Sequence, residues 1–259
     1  MLDLKSRSES LHRTREAAQI FRLARWIGVS GGLERSFKIT SGDVDARRFL
    51  ISLALRPDFR PALQEGLRSL CFPVSLFNPL EQLCKTARFL HLGYEEPHGE
   101  PVCKIYCEAP PADGPRVKVH ASFKWRPRDP DDFASDEYWR LSGLDQDGLR
   151  RRITETLEPN GALLAALQPL VDRVLARIPA DEVFFLEVMR GDVRRSFDLR
   201  LYDAELVVAD VASVALSVGD ALAGDGLGPL LAECGEEKLG HVSAGPSFVT
   251  FYHGAEDLL

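Results

Sequence analysis

The sequence predicts an α+β fold in which an antiparallel β-barrel carries a lumenal active site and is surrounded by helices. Three observations predict it. Arg116 to Arg126 alternates without a break, with Arg116, Lys118, His120, Ser122, Lys124 and Arg126 on one face and Val117, Val119, Ala121, Phe123 and Trp125 on the other. Successive side chains of a strand point to opposite faces, so this is a strand with a cationic and an apolar side. The same division recurs on other strands. Hairpins and helix pairs also follow one another as ββ–αα–ββ–αα–ββ, behind an opening strand and two short helices. Antiparallel hairpins joined by paired helices can close into one sheet, with apolar faces under the helices and polar faces in the lumen. An open two-layer α+β sandwich gives the same string, and both remain open at this level.

Taken in order, residues 1–30 form an N-terminal helical segment, basic and polar, with Ile20, Phe21, Leu23 and Ala24 marking the helix and Gly28 to Gly32 breaking it. Glu34, Ser36, Lys38 and Thr40 alternate with Phe37 and Ile39, which makes the first strand. Asp45 to Leu55 and Pro61 to Leu70 read as short helices, and Ala87 to Glu95 as a strand. Val102 to Cys107 pairs with 116–126 across a Pro/Gly turn. The Pro- and Asp-rich residues 127–137 read as a surface loop. Asp145 to Ile178 carries two amphipathic helices, parted near Pro159 and Gly161. A hairpin follows from Asp181 to Arg190 and Arg194 to Tyr202, then a helix from Glu205 to Leu222 and a short one ending at Cys234. Lys238 to Ser243 and Ser247 to His253 close the chain as a last hairpin. Residues 1–259 are one domain.

Composition narrows the function. A formal net charge of −7 surrounds the cationic strand face with an acidic protein. That excludes a general nucleic-acid binder, which needs a basic footprint, and favours a local anion site. The five cysteines form no zinc-like pairing, and their odd count fits reduced thiols in the cytoplasm. No signal peptide and no apolar run long enough to span a membrane is present, so neither a membrane nor a nucleic acid is an expected partner. Glu187 shares a strand face with Phe185 and Met189, and a lumenal role for it stays open.

The polar strand faces collect Glu34, Lys38, Lys104, Tyr106, Arg116, Lys118, His120, Lys124, Arg200, Tyr202, Phe248, Thr250 and Tyr252. Lys and Arg neutralise diphosphate oxygens. Aromatic faces stabilise a carbocation and keep water from it. A carboxylate can accept the proton of an acceptor nucleophile. Transfer of an allylic group from a diphosphate needs those three functions together.

Here the chain resembles a known family. Lys104-Ile105-Tyr106 looks like the Lys-x-Tyr strand motif of the ABBA (PT-barrel) aromatic prenyltransferases, and Pro246 to Tyr252 is similar to their last barrel strand. Glu34 to Ile39, followed by Gly42-Asp43 and Arg47-Arg48-Phe49, resembles the first strand of the cyanobactin prenyltransferases, which modify ribosomal peptides. The resemblance implies that Glu34 is the base and that Arg48 meets the diphosphate. With the polar-face residues, the expected site has Glu34 as catalyst and Arg48, Lys104, Lys118, Arg200, Lys38 and His120 as diphosphate ligands. Tyr106, Tyr202, Phe248 and Tyr252 form the aromatic shield. The expected partners are an isoprenoid diphosphate donor, dimethylallyl or geranyl, and a peptide or peptide-like acceptor. No Asp-rich metal motif is present, so no side chain is expected to bind a metal and Mg2+ is expected to be held through the diphosphate, with no organic cofactor. A small aromatic or indole acceptor, and a non-catalytic barrel for an anionic ligand, are the competing readings.

Overall fold

Ten antiparallel strands close on themselves in a computed structural model that describes residues 14–110 and 112–258. The first thirteen residues of the expected N-terminal segment lie outside the described residues. The strands are β1 (Gly28–Thr40), β2 (Asp43–Leu55), β3 (Phe89–Glu95), β4 (Val102–Glu108), β5 (Arg116–Arg126), β6 (Asp129–Leu141), β7 (Phe184–Arg190), β8 (Val193–Arg200), β9 (Leu239–Gly245) and β10 (Phe248–Asp257). Each pairs with its sequence neighbours, and β1 pairs with β10 to complete the ring. The barrel therefore stands, and the open sandwich does not.

Helices cover the outside in two groups. α1 (Arg15–Ile27), α2 (Phe59–Ser69) and α3 (Phe77–Cys84) lie over the first five strands. Ala17, Ile20, Phe21, Ala24 and Ile27 recur at helical spacing and are buried, and the Thr14 side chain caps α1 by accepting from the Ala17 N–H. Against α2 and its exit, Trp125 is buried with Phe72 edge-on at 4.9 Å, and its indole N–H donates to the Leu70 carbonyl at 2.8 Å. The second group is α4 (Gln146–Leu157), α5 (Gly161–Leu175), α6 (Ala212–Leu222) and α7 (Leu227–Cys234), packed on the outer faces of β1 and β7 to β10. Asp145 and Asn160 cap α4 and α5 in the same way. Apolar side chains thus fill two cores outside the barrel, and most buried polar ones lie inside it.

Four expectations are corrected. Asp45–Leu55 is not a helix but most of β2, turned back on β1 at Gly42, whose φ of +76° admits a glycine without strain. Its run from Phe49 to Leu55 is apolar on both faces except at Ser52, and such a run carries no clear period. Residues 127–137 are not a surface loop, because β6 begins at Asp129. The first half of β6 pairs with β5 alone, since β7 joins only from Glu137 onward, so this ribbon is wet and tolerates Pro130 on its open edge. The expected helix at 205–222 opens with a 3-10 turn, Val208–Val211, and becomes α-helical only at Ala212, where α6 starts. Finally, a bulge between Lys118 and His120 breaks the alternation of β5. His120 sits opposite Tyr138, but Lys118 sits opposite Trp139, on the other face. Lys118 and Arg116 consequently leave the lumen; Lys118 pairs with Glu137 at 3.1 Å, and Arg116 lies over the Trp139 ring at 4.3 Å. Glu187 is also outside, held by Arg194 at 2.8 Å and by Arg152 of α4 at 3.5 Å.

Candidate active site

Most lumenal side chains come from strand positions whose neighbours face the helices, so the ladder fixes most of the site. The lumen holds two chambers of about 360 and 190 Å3, which share Tyr106, Tyr138, Ser243 and Tyr252.

The larger chamber is cationic. β1 supplies Lys38, β2 Arg48, β4 Lys104 and β5 Lys124, with Arg190 and Arg195 further along its wall. Three of these cations converge on a residue the expected site omitted, Glu95 of β3, only 1% exposed. Its carboxylate takes Lys104 Nζ at 2.7 Å, Lys124 Nζ and the Arg48 guanidinium, and Arg48 Nε also donates to Ser36 Oγ at 3.3 Å. Burial alone would raise the Glu95 pKa, but Arg48, Lys104, Lys124 and Lys38 overcome it and hold the carboxyl well below its usual range. Burial acts on the cations too. It pulls Lys38 down to about 8, against the attraction of Glu95, and it holds Lys104 well below the ordinary lysine value. Lys38 Nζ lies 4.5 Å from the Phe248 ring centroid, so Phe248, expected in the aromatic shield, lines the cationic chamber.

The smaller chamber is built around Glu34, which is 7% exposed. Tyr202 OH donates to Glu34 Oε1 at 3.0 Å, and His241 Nε2 lies 3.1 Å from Oε2. The other imidazole nitrogen of His241 meets Asp198 at 2.7 Å. Burial would lower the His241 pKa, yet the two carboxylates overcome it and bring it up to about 10, so the ring is an imidazolium between two acids. It is stacked on Tyr252 at 3.7 Å. Between the chambers, Tyr106 and Tyr138 meet edge to face at 5.7 Å, and burial raises the pKa of both phenols, which stay protonated.

Of the expected residues, Arg48, Lys104 and Lys38 come together in the cationic chamber, with Phe248; Tyr106 and Tyr252 stand at the junction, and Glu34 in the smaller chamber. The others are placed elsewhere. Lys118 is on the outer face. Arg200 and His120 line the smaller chamber and contact each other at 2.9 Å, away from the expected diphosphate position, and Arg200 rests on the Phe184 ring at 4.3 Å. Tyr202 is half exposed, at 50%, and holds Glu34 rather than the aromatic junction. Sequence reasoning missed Glu95, Tyr138 and His241. Glu95 and His241 each share alternation with a lumenal neighbour, His91 and Ser243, and that was the available signal. Tyr138 was hidden beside the misread loop.

No protein-family model and no curated protein sequence matches the chain. Solved structures match its architecture. A crystal structure of PriB with product diphosphate superposes with a TM-score of 0.55 and 14% identity, over 86% of this chain and 79% of that one. The fold is that of the ABBA prenyltransferases. PriB in a ternary complex with L-tryptophan and dimethylallyl thiolodiphosphate gives a TM-score of 0.54 at 14% identity, again over 86% and 79% of the two chains. A 6-dimethylallyl tryptophan synthase gives 0.56 at 11% identity, covering 85% of this ABBA barrel and 80% of its own. No helix among the described residues is long and apolar enough to cross a membrane.

Proposed function

We propose that this ABBA barrel moves an allylic isoprenoid, dimethylallyl or geranyl, from its diphosphate to a nucleophilic side chain of a peptide, as the resemblance to the cyanobactin enzymes implies. The observation that carries the reading is the cluster of Lys38, Arg48, Lys104 and Lys124 beside a layer of Tyr106, Tyr138 and Tyr252. In this reading the diphosphate lies among the four cations. The allylic C–O bond breaks, and its electron pair leaves on the diphosphate oxygen, where those cations neutralise the charge. The three phenol faces flank the allylic carbocation and exclude water. The acceptor, placed in the smaller chamber, forms the new bond to that carbon and loses its proton to Glu34, oriented by Tyr202 and the His241–Asp198 pair.

Mg2+ would arrive on the diphosphate in this reading. The chamber's own carboxylates are already engaged: Glu95 by three cations, Asp45 by the Arg47 and Glu96 backbone N–H groups, and Asp136 by Arg190. We assign no metal ligand there, and expect donor affinity to survive EDTA. A small aromatic acceptor is the second reading, favoured by the L-tryptophan of the PriB ternary complex. We take the protein to work in the cytoplasm, away from membranes and nucleic acids, with no organic cofactor.

The test is incubation with dimethylallyl or geranyl diphosphate and either short peptides or free tryptophan, read by mass. Gain of one isoprenoid on a peptide supports the proposal, gain on tryptophan alone supports the second reading, and gain on neither leaves an anion-binding barrel. Glu34→Gln keeps size and hydrogen-bonding reach but removes the base. Single-turnover transfer should fall roughly a hundredfold or more while donor affinity holds; transfer at the native rate would remove Glu34 as base.

A further inference from the structure

We propose that His91, Glu108 and His120 form a binding site for a first-row divalent transition metal such as Zn2+ in the wall of the smaller chamber, with an open position facing that chamber. One ligand atom from each of the three lies within 4.8 Å of the others. They come from adjacent strands β3, β4 and β5, and Glu108 is directly opposite His120 in the ladder, so the trio is set on rigid backbone. His91 Nε2 already lies 3.2 Å from Glu108 Oε2, the separation two ligands of one tetrahedral ion adopt. On its far side, His91 Nδ1 meets Ser52 Oγ at 2.7 Å. That is the outer hydrogen bond that fixes the tautomer of a ligating histidine and leaves Nε2 for the ion. A second observation points to a ligand. His120 is 5% exposed, and its Nδ1 is buried without a hydrogen-bond partner among the described residues. Two imidazoles and one carboxylate suit Zn2+ and its neighbours, whereas Mg2+ and Ca2+ prefer oxygen alone.

Arg200 sets the terms of binding. Its guanidinium donates to His120 Nε2 at 2.9 Å. An ion on Nε2 would displace it outright. An ion on Nδ1 would put the imidazole proton on Nε2, leaving Arg200 facing a donor. Either way Arg200 yields, keeping its seat on the Phe184 ring, so guanidinium and metal compete for one histidine. Three protein ligands leave coordination positions directed at the chamber, where a nitrogen, oxygen or sulfur of a bound molecule could occupy one. Glu34 and Asp198 are engaged by His241, so the trio is separate from the base, and its metal affinity can be measured whatever the reaction proves to be.

The experiment is titration of the untagged, chelator-stripped full chain with Co2+, followed in the visible, with Zn2+ as competitor. One Co2+ per chain with the intense bands of four- or five-coordination, displaced by Zn2+, is expected. His91→Ala and Glu108→Gln should each weaken binding roughly tenfold or more, and Arg200→Gln should strengthen it. Should His91→Ala fail to fold by circular dichroism, Glu108→Gln and Arg200→Gln decide. Absence of wild-type binding, the pale spectrum of a hydrated ion, or affinity unmoved by Glu108→Gln and Arg200→Gln overturns the proposal.

Discussion

At residue scale, Gly240 makes room for the Glu34 carboxylate in the lumen. A Cβ there would run into Glu34 Oε1 and come within 2.8 Å of the Tyr202 ring. Gly240→Ala should therefore push the carboxylate off Tyr202 and His241 without touching the cationic chamber. Transfer should fall about as far as misplacing a catalytic group costs, roughly a hundredfold, while donor affinity measured by calorimetry stays native. The cations carry their own signature. Burial leaves Lys38 with a pKa near 8 in the donor-free barrel, and a bound diphosphate must raise it. Donor affinity should then be flat as pH rises toward about 8 and decline above it, with proton uptake on binding. Calorimetry in buffers of different ionisation enthalpy measures that uptake. A flat native profile to pH 9.5, or persistence of the decline in Lys38→Arg, would count against this role.

At the scale of the element, β5 shows what was legible in the sequence and what was not. From His120 to Trp125 strict alternation assigned faces correctly, and Phe123 and Trp125 are under helices with Lys124 in the lumen. Past the bulge the same alternation assigned Lys118 to the wrong face, because one extra residue reverses the order and leaves no mark in composition. The consequence is testable by a pair of variants. Lys104→Ala should weaken donor binding by roughly ten- to a hundredfold, the scale of one charge-assisted hydrogen bond to phosphate. Lys118→Ala should leave it unchanged. β2 was misread for a different reason: its apolar second half packs outward through Phe49, Ile51 and Leu53 and inward through Leu50 at the smaller chamber. Pairings that depend on tertiary contact were not legible at all. Glu95 between Arg48 and two lysines, or His241 between two acids, joins residues far apart in the chain.

Over the whole molecule, closure governs access. A strand held on both sides offers no edge to a peptide, and the singly paired ribbon of β6 is guarded by Asp129, Pro130, Asp131 and Asp132. A peptide acceptor must be recognised through the side chain it inserts, and trimming its flanks should change KM by less than about tenfold with kcat unaltered. Kinetics on a nested peptide series would show this, and a steep dependence on length would point to a backbone-reading surface. The ring has a seam as well, where β1 meets β10 and Lys38 faces Thr250. Lys38 and Glu34 lie on β1 and Tyr252 on β10, so during synthesis neither chamber can be complete until β10 has been translated. Until then one edge of β1, the edge away from β2, has no partner strand. Ring closure by β10 is therefore what creates both chambers, whatever chemistry they serve.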